Sequence, residues 1–249
     1  MRPSLIIRNH SFANIVSEVW GALLAAKRDM LESIIPAAGR IEMKNHESDD
    51  WSGSGFLIAD DIIVTNKHVA KDFVDLGQNP VTWRRNIVSR KPISARIDFR
   101  DEHMDGEEAE FNLTDIIYIS DSHDFALFKV ESGASEIINP LKLASSVSNE
   151  SWVAAIGYPF KDTRSFLGRQ RAAKRIFGGI FDVKRMSPGK IMRIDESYIY
   201  HDCTTLKGNS GSPLINLDNG ELVGIHFYGH NDNNIAVHVD EIQKALDQI

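Results

Sequence analysis

Cysteine is almost missing. Cys203 is the only one among 249 residues, so no intrachain disulfide can form and a reducing, cytoplasmic compartment is expected. Long apolar runs are missing as well: nothing approaches the roughly 20 residues that a membrane helix needs. The LII of the N-terminal MRPSLIIRNHSF is far too short for a signal-peptide core. No membrane association is expected. An excess of positive charge is the third absence. With 28 Lys+Arg against 35 Asp+Glu the net charge is −7, which repels a phosphate backbone and argues against nucleic acid as a main partner. Repeats and low-complexity tracts are lacking too. What is present is an ordinary globular balance, 42% hydrophobic and 25% charged, in a chain long enough to build a core without covalent staples.

From Ser11 to Ile35 the apolar residues Phe12, Val16, Val19, Leu23, Ala26, Met30 and Ile34 recur at steps of four and three, the spacing of one helical stripe. Ser11 is a candidate N-cap, and Pro36 stops the run. Two roles stay open for this helix. It docks on the body of its own protein, or it offers a seam to a regulatory protein partner. Beyond Pro36 the texture changes to short β-branched and aromatic runs divided by turn clusters such as NHESDD, DEHMDG and DNG. Expected strands are GRIEM, SGFLIA, DIIVTN, ISARIDF, FNLTDIIYI, FALFKV, WVAAIGY, RIFGGIFDV, YIYHDC, PLINL, ELVGIHF and NIAVHV. That pattern predicts an all-β sandwich or barrels. A closing amphipathic helix is expected in VDEIQKALDQI, with Ile242, Ala245 and Leu246 on one face. Between 161 and 175, Lys161, Arg164, Arg169, Arg171, Lys174 and Arg175 face a single acid, Asp162. This reads as a solvated loop, with a regulatory or anionic-ligand contact as the alternative.

Three segments bear on chemistry. KGNSGSP, residues 207–213, surrounds Ser210 with the small residues of a tight turn. TNKHVA places His68 just after a strand end. HDFALFKV opens a strand with Asp124 at its mouth. A serine hydroxyl is a poor nucleophile until a base takes its proton and a third group orients that base, so all three are needed together. Taken in order, TNKHVA, HDFALFKV and GNSGSP resemble the His, Asp and Ser boxes of the chymotrypsin-like (trypsin-like) serine proteases. Their wording is nearer to bacterial glutamyl endopeptidases and HtrA-type domains than to digestive enzymes. The likeness runs from about Arg40 to Val239.

The resemblance implies two packed antiparallel six-stranded β-barrels. The expected division is a helical extension over 1–36, which lies outside the likeness, a first barrel over 37–140 and a second over 141–249 with the C-terminal helix. The resemblance also implies a serine endopeptidase that hydrolyses protein or peptide substrates through an acyl-enzyme, without metal or organic cofactor. Ser210 is then the nucleophile, His68 the base and Asp124 its orienter, with the Gly208 and Ser210 amides as oxyanion donors. His123, Asp121 and Ser212 are the neighbouring rivals. Asn209 stands where digestive enzymes carry an aspartate that pairs with a newly released N-terminus, so activation by clipping is not implied. Phe227 replaces a serine that in many relatives touches the triad aspartate. His226 matches the pocket histidine of glutamyl endopeptidases, Thr205 their hydroxyl, and Thr204 the pocket base. These imply cleavage after Glu, with Asp or Gln as alternatives. Pairing of His226 with His230, or of His201 with Cys203, lacks the four ligands of a zinc site. The rival reading is a latent or inactive protease-like domain that serves as a partner-binding scaffold.

Overall fold

The β-rich stretch that follows Pro36 folds as the turn clusters divide it. In the computed structural model, which describes residues 2–104, 107–161, 173–230 and 233–249, two short N-terminal strands come first, β1 (Leu5–Arg8) and β2 (Ser11–Phe12). The first barrel is built from β3 (Ala38–Lys44), β4 (Trp51–Ala59), β5 (Ile62–Thr65), β8 (Ser94–Asp98), β9 (Glu110–Ile119) and β10 (Ala126–Val130), with a small ribbon of β6 (Val74–Asp75) and β7 (Thr82–Trp83) beside it. It closes in the order β10-β5-β4-β3-β8-β9. The second uses β11 (Trp152–Gly157), β12 (Arg185–Ile194), β13 (Tyr198–His201), β14 (Pro213–Asn216), β15 (Leu222–His230) and β16 (Asn233–His238). Its order is β11-β14-β15-β16-β13-β12, closed by β12 pairing back to β11. Two closed six-stranded antiparallel barrels are therefore present, as expected.

The barrels meet along β4. Its side chains are buried on both faces over Gly53–Ile58, because one face lines its own barrel and the other receives the second. Small residues make that approach possible. A Cβ on Gly53 would stand 2.7 Å from Val69 Cγ2 and 2.8 Å from the Ser210 carbonyl oxygen, and the Ser54 amide donates to that same oxygen at 2.8 Å. The SGSG of this strand is thus the seat of the Ser210 turn. The C-terminal helix, Val239–Leu246, buries Val239, Ile242 and Ala245. Its Glu241 lies 3.5 Å from His123 Nδ1, linking the second barrel to the turn before β10.

Two expectations are corrected. The helix predicted from Ser11 starts only at Trp20: α1 (Trp20–Ala26) and α2 (Arg28–Ile34) are separated at Lys27, and a 3-10 turn over Ile35–Ala37 carries Pro36. Ser11 lies in β2 and donates its hydroxyl to Glu32 at 2.5 Å instead of capping a helix. The break at Lys27 resets the helical phase. The face that docks is Trp20, Leu24, Leu31 and Ile35, while Val16 and Val19 of the expected stripe are exposed. Trp20 meets Trp152 edge-on at 5.0 Å, a contact of about 1 kcal/mol beyond its area. Strand β1 joins the second sheet, with Leu5 opposite Met186. The N-terminal segment therefore docks on the protein's own body.

The other correction concerns RIFGGIFDV. Gly178 and Gly179 take φ of +63° and +79°, which turns the chain instead of extending it. The strand is the next segment, β12, whose Pro188-Gly189 reads as a turn signal. Pro188 is tolerated because its ring nitrogen faces away from β11, in the gap between the β1 and β13 pairings, where no ladder donor is required.

Candidate active site

His68 is the second residue of a one-turn helix, Lys67–Ala70, that follows β5. Asp124 precedes β10, the neighbour of β5 in the barrel. Adjacent strand ends thus bring the two side chains together. The Asp124 carboxylate accepts from the His68 backbone amide at 2.9 Å through Oδ1 and meets His68 Nδ1 at 2.5 Å through Oδ2. The first bond fixes the carboxylate and the second fixes the ring. Asn66 Nδ2 donates to the Asp124 carbonyl at 2.7 Å, and Lys67 Nζ to the Ser120 carbonyl at 2.6 Å. The two loops are thereby tied on either side of the pair. The rivals are placed elsewhere: His123 turns to Glu241 and Tyr198, and Asp121 is exposed in the turn.

Ser210 lies on the 206–211 turn of the second barrel. Gly208 has φ +85° and Gly211 φ +87°, a region that L residues avoid. Space demands glycine as well, since a Cβ on Gly208 would collide with the Tyr158 carbonyl oxygen and one on Gly211 with that of Ser54. The buried Asn209 side chain accepts from the Leu206 amide at 3.2 Å. Ser54 Oγ donates to the Gly208 carbonyl at 2.8 Å, which points that carbonyl at the buried β4. Among the described residues no backbone carbonyl accepts from the Gly208 or Ser210 amide. Two adjacent donors are left free beside a half-buried serine. A Cβ on Gly53 would meet both Val69, the residue after His68, and the Ser210 carbonyl, so the two loops face one another across β4. Among the described residues the Ser210 hydroxyl makes no hydrogen bond, with His68 or otherwise. Such bonds are often open until substrate arrives.

His226 on β15 is 2% exposed and His201 on β13 is 1% exposed, and His201 Nε2 lies 3.2 Å from His226 Nδ1. Burial pulls His201 down to about 3. Burial, followed by the nearby His201 and His68 imidazoles, holds His226 well below its ordinary value. Both rings are therefore neutral at pH 7. His201 Nδ1 is buried without a partner, where an unpaired acceptor costs less than an unpaired N–H. The proton then sits on His201 Nε2 and is donated to His226 Nδ1, which leaves His226 Nε2 as an N–H donor. Thr205 Oγ1 donates to Asn234 Oδ1 at 2.8 Å and lies against Gly229. Thr204 Oγ1 donates to the Arg2 carbonyl at 2.8 Å, so its proton is already committed. Phe227 and Tyr198 stand 5.8 Å apart between ring centres and line one side of a cleft with His68, Asp124 and Leu76.

The family model for the trypsin-like peptidase domain matches residues 53–225. The chain belongs to the trypsin-like peptidases. In agreement, the fold is similar to that of the serine endoprotease from Yersinia pestis, with a TM-score of 0.59 at 16% identity over 94% of this chain and 67% of that one. The protein is a serine peptidase by family, and its substrates are proteins or peptides.

Several residues of this peptidase's site escape sequence reasoning. Ser54 is one, bridging the Tyr158 amide and the Gly208 carbonyl. In the sequence its run reads only as part of a strand, and nothing in it names a partner in the second barrel. His201 is another; the run YIYHDC gives no sign that its ring meets His226 from a different strand. Residues 162–172, most of the basic segment, lie outside the described residues.

Proposed function

We propose that the protein is a serine endopeptidase in which Ser210 attacks the scissile carbonyl, with His68 as base and Asp124 as its orienter. The observation that carries this reading is the His68 ring held at Nδ1 by Asp124 at 2.5 Å. That bond places the proton on Nδ1 and leaves Nε2 as the lone-pair nitrogen that a base requires. As Ser210 Oγ bonds to the carbonyl carbon, its proton moves to His68 Nε2, and the oxyanion is received by the free amides of Gly208 and Ser210. The imidazolium then gives the proton to the departing amine, leaving an acyl-enzyme. Water repeats the sequence and releases the acid.

The preferred residue before the cleaved bond is Glu, with Asp or Gln next. The His201–His226 pair supports this: it supplies a neutral N–H donor, suited to a carboxylate or carboxamide oxygen, and no carboxylate that would receive Lys or Arg. The Thr205 hydroxyl oxygen retains acceptor capacity for a carboxamide. A second reading, latency until a partner closes the site, rests on the unbonded Ser210 hydroxyl.

One experiment separates these readings. Fluorophosphonate is expected to label the purified wild type and not Ser210→Ala, and kcat/KM on matched peptides is expected to run Glu above Gln above Phe above Lys. The substitution should cost about 10⁴-fold or more in kcat. Labelling that persists in Ser210→Ala refutes the nucleophile, and a preference for Lys refutes the pocket. Wild type that labels only after a partner is added establishes latency.

A further inference from the structure

The segment between β13 and the Ser210 turn has no regular structure: Asp202 to Leu206 belong to no helix or strand. Yet it carries Thr205 and leads directly into the turn that holds the Gly208 and Ser210 amides. A stretch of coil keeps one geometry only if other groups hold it, because each free residue regains about 1–2 kcal/mol of backbone entropy when released. What holds this stretch comes from the far end of the chain. Arg2 donates to Asp202 Oδ2 through Nε at 2.8 Å and through a terminal nitrogen at 2.5 Å. Asp202 Oδ1 accepts from the Lys190 amide at 2.7 Å, so the carboxylate joins β12 to Arg2. Two residues on, Thr204 Oγ1 donates to the Arg2 carbonyl at 2.8 Å.

Arg2 itself is firmly placed. Its guanidinium lies 5.3 Å from the Trp20 ring centre and 5.6 Å from that of Trp152, between the docked helix and β11. The Ser4 carbonyl is gripped by the buried Arg185 at 2.7 Å, and the Ser4 hydroxyl meets Ser187 Oγ at 2.9 Å. From the opposite side, Asn234 Nδ2 donates to the Cys203 carbonyl at 2.6 Å while Asn234 Oδ1 accepts from Thr205. Residues 202–205 are therefore held between Arg2 on one side and Asn234 on the other.

We propose that Arg2 is a positioning residue for substrate binding: through Asp202 and Thr204 it fixes the 202–205 segment, and with it the wall of the pocket that reads the residue before the cleaved bond. The proposal rests on the peptidase reading above. It assigns the N-terminal segment a part in specificity, although Arg2 touches no substrate. A displacement of about 1 Å in such a wall is enough to cost up to about a hundredfold in turnover efficiency.

The test uses the full chain with Arg2→Ala and Arg2→Lys. Activity is normalised to folded protein by circular dichroism, and kcat and KM are read on peptides ending in Glu, Gln and Phe. The rate of labelling by a small alkyl fluorophosphonate, which has no side chain for the pocket, is measured in parallel. Arg2→Ala is expected to lower kcat/KM for the Glu peptide about tenfold to a hundredfold, chiefly through KM, and to narrow the Glu to Phe ratio. Labelling should stay within about threefold of wild type, because the Ser210 turn keeps its own bonds to Ser54 and Asn209. Millimolar methylguanidinium should restore part of the loss, and Lys, which lacks the two-pronged contact, should restore less than Arg. If Arg2→Ala does not fold, Asp202→Asn removes the charge that Arg2 grips while keeping an acceptor for the Lys190 amide, and the same narrowing is expected. Unchanged peptide selectivity in a folded variant overturns the proposal, as does a loss of labelling equal to the loss of peptide cleavage. A wild type that takes no label defeats the peptidase reading itself, a result independent of the Arg2 variants.

Discussion

Asp124 makes two distinct bonds to one residue, and the consequences of losing its charge follow from that. Asparagine is isosteric but offers one oxygen and one NH2 group where the native side chain offers two acceptors. If the oxygen keeps the His68 amide, the NH2 faces Nδ1 and forces that nitrogen to give up its proton. The proton then moves to Nε2, the atom that has to accept one from Ser210. Asp124→Asn is therefore expected to fold normally and to lose about 10⁴-fold in kcat with little change in KM. Steady-state kinetics beside a thermal melt tests it; a loss below tenfold means Asp124 does not set the tautomer. At this scale the sequence singled out His68, Asp124 and Ser210 through three short runs, and the structure brings the first two into contact. The sequence was silent on His201 and Arg2, whose partners are 25 and 200 positions away and whose local runs look like any strand or terminus.

At the scale of elements, the Ser210 turn is shaped by backbone that other residues cannot copy. Gly208→Ala brings a side chain against the Tyr158 carbonyl oxygen and requires a positive φ from an L residue, a strain of about 1–2 kcal/mol before any collision. The turn relieves that strain most simply by rotating the peptide that carries the Gly208 amide. The variant is expected to keep both barrels, seen as an unchanged far-ultraviolet spectrum. Its fluorophosphonate labelling should fall about 10²- to 10³-fold, the usual effect of one lost oxyanion donor. A rate equal to wild type means the amides of this turn do not receive the oxyanion. The strands themselves were largely readable, because runs such as IIVT and FALFKV are too apolar and too short to be anything else in a barrel. Two elements were not. The β12 strand hides behind Pro188-Gly189, which is admissible only because Pro188 falls in the gap between the β1 and β13 pairings. The N-terminal helix was misplaced because its break at Lys27 and the pull of Trp20 toward Trp152 are tertiary effects that periodicity does not contain.

For the whole molecule, the N-terminal segment and both barrels converge on one buried ion pair. Lys184 of the second barrel reaches the Phe99 carbonyl at 2.7 Å, the Ile35 carbonyl at 3.5 Å and Glu102 Oε1 at 3.2 Å. Glu102 in turn accepts from the His10 amide at 2.8 Å and meets His10 Nδ1 at 2.9 Å. Burial pushes the Glu102 carboxyl up, but the His10 hydrogen bond and the Lys184 ammonium outweigh it and hold the group down to about 2. An ionised Glu102 therefore contributes stability that is complete above its unfolded value of about 4.5 and is lost as pH falls toward 2. His201 acts in the same direction at higher pH. Its folded value is about 3 against about 6.5 unfolded, so between those limits the unfolded chain holds more protons than the folded one. Stability then rises with pH across that window and falls as the solution is acidified, by up to about 1.4 kcal/mol per pH unit for each group. The urea midpoint is expected to decline below about 6.5 and to steepen below about 4.5; above pH 7 it should rise slowly, because burial lowers Lys184 to about 8 and the unfolded chain then holds the extra proton. In His201→Phe the decline between 6.5 and 4.5 should shrink, whereas the steep part set by Glu102 should remain. A midpoint that holds constant from pH 7 to pH 5 in the wild type contradicts a neutral, buried His201, and with it the donor that His226 is argued to present to substrate.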